Sequence, residues 1–311
     1  VSRSTPRSCA ASPDPVPASA HRGFVLLLTA GLLWGTGGIS GHLLQADAGL
    51  APLSVAAYRL LLGGGLITVL LVATGRLRGR PPVRALLVNG VLHAVFQGLY
   101  FGSLALVPVG FATLVKIGSV PVFVTAGLCL AARRAPAPRL AAAVLIAVAG
   151  LVLLTGFPGP DGGGWRLAGG VACALGAGLV FSVMTLLNRG PGAGIDPLVN
   201  IGVGGLIGGV LLLPAGLWAG MAVPADAESI GLLAFLALVP TAIAYVAYFA
   251  GLRTASDSAV AMATVTEPLT AAVLSMVLLG EEMTVLGMLG GVLLLVAMAA
   301  DYLLPGRRRA T

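Results

Sequence analysis

The chain has 311 residues, of which 58% are hydrophobic and 9% charged, and its mean hydropathy is +1.01. Soluble domains carry about 25% charged residues, so this composition excludes a soluble domain and specifies a polytopic membrane protein. The net charge of +7 and pI near 10.0 do not mark a nucleic-acid binder, because the basic residues sit in short stretches between apolar runs, where they orient helices.

Residues 1–22 (VSRSTPRSCAASPDPVPASAHR) are rich in Ser, Pro and Arg and read as a disordered cytoplasmic tail that cannot bury enough apolar surface to fold. Arg3 and Arg7 stand too far from the apolar run at Phe24 for a signal peptide, although plastid transit peptides share this composition. Apolar stretches of roughly the 20 residues that cross about 30 Å of hydrocarbon follow at 23–44, 53–74, 85–107, 110–131, 139–156, 167–187, 197–219, 229–250, 258–279 and 284–304. The tight turn VPVG (107–110) divides the third from the fourth. The stretch GFPGPDGGGW (156–165) belongs to an outer linker (157–166) and lacks the Lys-Ser/Thr of a phosphate loop. A basic tail, 305–311, closes the chain.

With the N-terminus inside, fifteen basic residues fall on the inner side, including Arg22, Arg76, Arg84, Arg133, Arg253 and Arg307 to Arg309, against Arg166 alone outside. That bias supports ten spans with both termini cytoplasmic. All basic residues but Lys116 are arginine, and Ala, Gly, Leu, Val and Pro abound. This is the codon signature of a GC-rich bacterial genome and hence of a bacterial inner membrane. Cys9, Cys129 and Cys173 show no metal-ligand spacing and read as buried thiols without a disulfide.

The two halves echo each other. Tyr100-Phe101 and Tyr248-Phe249 stand 148 positions apart, as do Leu104 and Leu252, while Pro121 and Pro268, and Trp34 and Phe181, stand 147 apart. Each half holds five spans, an odd number, so the second half (167–304) enters the membrane inverted relative to the first (23–156). The charges agree, because the arginine-bearing loops 76–84 and 132–139 correspond to 221–228 and a Glu281-Glu282 loop that carry acids instead. Inverted repeats with a midplane site between them are the architecture of secondary transporters.

Three further stretches make the chain familiar. LLWGTGGIS (32–40), YRLLLGG (58–64) and TEPLTAAVLSMVLLGEEMTVLGMLGGVLLLVAM (266–298) resemble the first, second and closing spans of EamA-type members of the drug/metabolite transporter superfamily. The resemblance covers roughly 24–304. It implies an all-α membrane protein of ten helices in two inverted five-helix repeats, export or exchange of small metabolites, and no enzymatic activity. The first half departs from the pattern at Val120, which stands where Glu267 stands in the second.

Polar groups inside the spans are the candidate site. Glu267 lies about nine residues into its span, roughly 13 Å deep, and Lys116 enters from the other side about six residues, roughly 9 Å. A charge there costs at least ~2.5 kcal/mol on insertion scales, so a partner, water or a proton must offset it. We expect a Lys116–Glu267 pair or shared proton at the interface of the halves, with three roles open for Glu267: structural or gating, substrate contact, and proton coupling. Pro121 and Pro268 are expected helix bends. Asn89, His93, Gln97 and Tyr100 share one face of the third span, and Thr241, Tyr245 and Tyr248 mirror the last three at 148. These, with Trp34, are expected to line a central cavity, against the alternative of plain interhelical hydrogen bonding. Arg59 reads as a structural anchor, by snorkelling or by helix–helix contact, with a substrate ligand as the open alternative. The glycine pairs Gly204/Gly208, Gly205/Gly209 and Gly287/Gly291 read as close internal crossings.

The expected protein is therefore an alternating-access exporter of small metabolites such as amino acids. Drug-like amines and uncoupled diffusion are alternatives, and a membrane-embedded enzyme or receptor-like protein is the reading from another class. The expected partners are lipid, a small solute and protons. No cofactor, metal or catalytic group is expected, and the chain reads as a monomer or weak homodimer.

Overall fold

The computed structural model describes residues 18–77, 82–133, 138–155, 164–188, 195–255 and 257–303. They form helices α1 (Ala18–Ala46), α2 (Pro52–Ala73), α3 (Val83–Leu104), α4 (Val109–Ala132) and α5 (Pro138–Thr155), then α6 (Gly164–Leu187), α7 (Pro197–Ala219), α8 (Ala227–Leu252), α9 (Asp257–Leu278) and α10 (Val285–Leu303). No strand occurs among the described residues. In a medium without water each segment must satisfy its own backbone, which helices do. By length and hydropathy α1 (from His21), α2, α3, α4, α6, α7 and α8 can each cross a membrane, seven among the described residues. The protein is a polytopic helical membrane protein.

Three expectations change. Helix α1 begins at Ala18, so residues 18–22 belong to a helix and not to the tail. Gly164, Trp165 and Arg166 open α6 and do not belong to the linker. Cys129 and Cys173 are free but only half-buried. The tail through residue 17, the linker residues 157–163, the tail 305–311, Cys9, Arg78, Arg80 and Arg134 lie outside the described residues.

The helices are apolar on nearly every side, so hydrophobicity alone does not decide which face turns inward. Size does. Val69, Val72, Leu130, Leu145, Val277 and Val285 point outward, where lipid solvates them as well as protein would, and small residues mark the crossings. A Cβ on Gly208 would lie 2.7 Å from the carbonyl oxygen of Gly90, and one on Gly64 would lie 2.8 Å from the amide nitrogen of Leu206. Gly209 meets Leu61 just as closely, so both glycine pairs of α7 serve internal packing, whereas Gly287 meets only Thr284 and Met283 of its own segment. Helix α1 packs along α9 and α8, α6 along α4 and α3, α5 along α10, and α2 along α7.

Three helices carry a wide π turn: Arg59–Gly63 in α2, Asn200–Gly204 in α7 and Leu238–Ile243 in α8. Such bulges concentrate at functional positions. Each contains a buried polar residue, namely Arg59, Asn200 and Thr241. In α8 the cause is visible: Pro240 offers no N–H to the ladder, and the hydroxyl of Thr241 donates to Leu236 O five residues back at 2.8 Å.

Helix α8 starts on Asp226, whose carboxylate accepts from Ser229 N at 2.7 Å and from Ser229 Oγ at 3.0 Å. These bonds hold its carboxyl below the usual 3.8. A folded pKa held low adds stability above the unfolded value that is lost as pH falls through the folded one. Asp226→Ala should therefore lower the Tm at pH 7, and the difference from wild type should shrink as the pH falls below the carboxylate range. Thermal unfolding in detergent across pH 3 to 7 measures it, and a difference that does not change with pH would contradict the assignment.

Candidate functional site

Two facing helices each carry an internal proline and run on through it. Pro121 in α4 and Pro268 in α9 each lack the N–H that would bond four residues back, which loosens the ladder there. Beside them lie Lys116 and Glu267. Lys116 Nζ donates to Glu267 Oε1 at 3.0 Å, with the lysine side chain 8% exposed and the glutamate 20%. The ammonium also stands 4.1 Å from the centre of the Tyr100 ring and 5.9 Å from that of Phe96, so aromatic faces share its charge. Tyr100 Oη bonds Thr113 Oγ1 at 2.9 Å, which fixes the ring beneath the lysine.

Helix α1 comes close enough to complete this wall only because it carries glycine. A Cβ on Gly35 would lie 2.9 Å from the carbonyl oxygen of Glu267, and one on Gly38 would lie 2.6 Å from Tyr100 Oη. Trp34, one residue earlier, meets Tyr245 edge-on and Tyr248 at a tilt, with ring centres 5.2 and 4.8 Å away. Its indole nitrogen is enclosed without a hydrogen-bond partner.

Arg59 does not snorkel to an interface. It is buried at 7% exposure, donates from Nε to Thr241 Oγ1 at 3.2 Å and lies over Phe101 at 5.8 Å. Its guanidinium faces Gly37 of α1, where a Cβ would sit at contact distance, 3.4 and 3.5 Å, from the two terminal nitrogens. The π turns of α2 and α8 thus face each other through one charged hydrogen bond. Arg59, Tyr100 and Glu267 are the groups whose electric fields reach Lys116, and Arg59, Glu267 and Lys116 reach Tyr245.

The structure thus gathers Trp34, Arg59, Tyr100, Lys116, Thr241, Tyr245, Tyr248 and Glu267. His93 stands elsewhere. It lies in the seam with α7, where Gly204 and Gly208 leave room for it, beneath a net of amides. Asn89 and Asn188 exchange hydrogen bonds at 2.7 and 3.3 Å, and Asn200 donates to Asn89 at 3.3 Å. Gln97 is buried at 4% exposure on the face between the two groups. Phe101 is fully buried in the hydrophobic core against Gly41.

Sequence reasoning missed three parts. Asn188 and Asn200 were signalled only as amides in apolar runs. Glu281 was read as a loop acid, yet its carboxylate accepts from Val109 N at 2.6 Å and Gly110 N at 3.2 Å. It thereby occupies the positive end of α4, the helix that carries Lys116. Gly280, with φ of +64°, ends α9 and turns Glu281 toward it. Gly35 was quoted within a motif without a role.

A helical membrane bundle with an ion pair, a second buried cation and stacked aromatics inside it defines a membrane transport protein. The chain belongs to the EamA-like transporter family, which it matches over residues 21–156 and 168–300. It is 26% identical over 288 residues to the "uncharacterized transporter YwfM" of Bacillus subtilis, covering 92% of this chain and 95% of that protein. It is 25% identical over 301 residues to the "uncharacterized inner membrane transporter YicL" of Salmonella typhimurium, covering 94% and 98%. A solved crystal structure shares the fold with a TM-score of 0.62 at 20% identity, over 93% of this chain and 98% of its own.

Removing one partner of a buried ion pair leaves an uncompensated charge and costs about 3–5 kcal/mol. Lys116→Met should destabilise the protein by about that much, and adding Glu267→Gln should recover part of the loss. Unfolding of the two single variants and the double variant measures the coupling; strictly additive effects would mean the contact contributes nothing.

Proposed function

We propose that the protein is a secondary transporter of a bacterial inner membrane, which exports small metabolites such as amino acids by alternating access around a midplane cavity. In this reading all ten helices span the membrane, as two inverted five-helix halves with both termini cytoplasmic. The observation that carries the reading is the Lys116–Glu267 pair between two helices that each hold an internal proline. Intramembrane ionisable groups are functional by default, and transporters of inverted-repeat architecture bind their cargo near the midplane between the repeats.

The packing supports the inverted halves. Exchanging each helix for the one five places on turns the α1–α9 and α1–α8 contacts into the α6–α4 and α6–α3 contacts. The detail agrees. Gly35 lies against the Glu267 carbonyl, and 147 positions away in each case Ser182 Oγ approaches the Val120 carbonyl at 3.4 Å. Helix α4 ends in a left-handed residue, Arg133, and α9 is followed by one, Gly280, again 147 apart.

Proton coupling assigns Glu267 the exchanging proton: binding it releases Lys116 and loosens α4 from α9, and losing it restores the pair. A second reading, efflux of drug-like amines, is favoured by the same carboxylate, which an ammonium group can take from Lys116. Flux of labelled amino acids and amines in proteoliposomes, with and without a pH gradient, separates them. The expected result is gradient-stimulated amino-acid flux that loses its stimulation in Glu267→Gln. Flux that ignores the gradient and survives the substitution would make the protein a facilitator and the pair structural.

A further inference from the structure

The interior charges do not balance. Lys116 is matched by Glu267, but Arg59 has no carboxylate within ion-pair distance among the described residues. The other carboxylates whose side chains are described stand near helix ends: Asp196, Asp226 and Glu281 are bonded to backbone N–H groups there, and Asp47, Glu228 and Glu282 lie at exposed positions in loops or a first turn. Among the described side chains Glu267 alone faces the cluster, which on that count holds one uncompensated positive charge.

Its hydrogen-bond donors are likewise unmatched. Arg59 spends only Nε, on Thr241. Its two terminal nitrogens make no hydrogen bond to the described residues, and they stand beside Gly37, 3.4 and 3.5 Å from where a Cβ on that residue would lie. One helical turn before Gly37 on α1, the Trp34 indole N–H, which can only donate, is enclosed and unpartnered. A buried guanidinium with both terminal nitrogens unbonded, in a cluster of net positive charge, is a receptor for a planar anion, and the geometry of such a fork matches a carboxylate. Around it the surfaces are aromatic, from Trp34, Tyr245 and Tyr248.

We infer that Arg59 is the docking point for the carboxylate group of the transported solute, with the apolar remainder of the solute against the Trp34–Tyr245–Tyr248 aromatic wall. The inference rests on the transporter reading of this cluster and deepens it. It assigns the solute a carboxylate, disfavours simple amines, and leaves the Lys116–Glu267 pair intact while the solute binds. The carboxylate belongs either to an amino acid or to a plain monocarboxylic acid.

Three probes of matched shape test it: leucine, 4-methylpentanoate, which lacks the amine, and 3-methylbutylamine, which lacks the carboxylate. Trp34 is the built-in reporter, because Trp165 and Trp218 are 69% and 90% exposed and W165F/W218F leaves Trp34 as the sole tryptophan of the chain. In that background, titration of purified protein should change the fluorescence with leucine, 4-methylpentanoate or both, and not with the amine. A response to leucine alone identifies the amino acid as the source, and a response to both identifies the carboxylate as sufficient. Arg59→Gln should weaken the response on the order of tenfold to a hundredfold. Arg59→Lys, which keeps the charge but not the fork, should fall between and guards against a folding defect in the first variant. Binding of the amine alone, no response to either acid, or unchanged affinity in a monodisperse Arg59→Gln protein would overturn the inference. Flux of the same compounds is read separately. Arg59-dependent binding without flux would defeat the transporter reading and leave the docking site standing, whereas amine flux without acid binding would do the reverse.

Discussion

A charge inside a hydrocarbon slab has almost nothing to pair with, and the contact between Lys116 Nζ and Glu267 Oε1 at 3.0 Å answers that constraint for two charges at once. Much of the neighbouring structure makes the contact possible. Glu281 holds the start of α4, the helix that bears the lysine. Tyr100, fixed by Thr113, lies beneath the ammonium. Gly35 lets α1 press against the backbone at Glu267 itself. The contact joins α4 to α9 near the point where each has lost a backbone hydrogen bond to proline.

Lipid removes the hydrophobic drive between helices, and shape takes its place. The crossings that bury backbone are made at Gly35, Gly64, Gly90, Gly208 and Gly209, while the large aliphatic residues turn outward. Polar residues then tie individual seams. The Asn89–Asn188–Asn200 net joins α3, the residue after α6, and α7. Ser54 and Tyr58 of α2 donate to the carbonyls of Gly220 and Met221 beyond α7, at 2.8 and 2.6 Å. The π turns push Arg59 and Thr241 out of the regular ladder and toward each other.

The two halves are alike in packing and unlike in chemistry. At the position of Glu267 the first half has Val120, and at the position of Gly280 it has Arg133. Among the described side chains, the interior carboxylate Glu267 and the acid that clamps α4 both come from the second half, whereas Lys116, Arg59 and Tyr100 come from the first. The charged cluster is thus assembled across the interface between them, and neither half holds it alone.

Hydropathy and charge located the helices, because burial in lipid demands long apolar runs and basic loops, and both are local properties of the chain. Depth along a span likewise brought Lys116 and Glu267 to neighbouring levels, since rise per residue is the same in every helix. Which way each face turns was not legible. In helices apolar all round, orientation is set by where small residues permit contact, and that depends on the partner helix. His93 shares a face with Tyr100 in sequence, yet the room beside Gly204 and Gly208 holds it at the α7 seam. Arg59 read as an anchor by snorkelling or by helix–helix contact, and only the facing bulge that holds Thr241 decided for an interior contact. The clamp of Glu281 on α4 spans 172 residues. The sequence by itself determined the spans and the residue types within them; the tertiary structure alone decided which polar groups meet, because those meetings depend on close approaches between helices far apart in the chain.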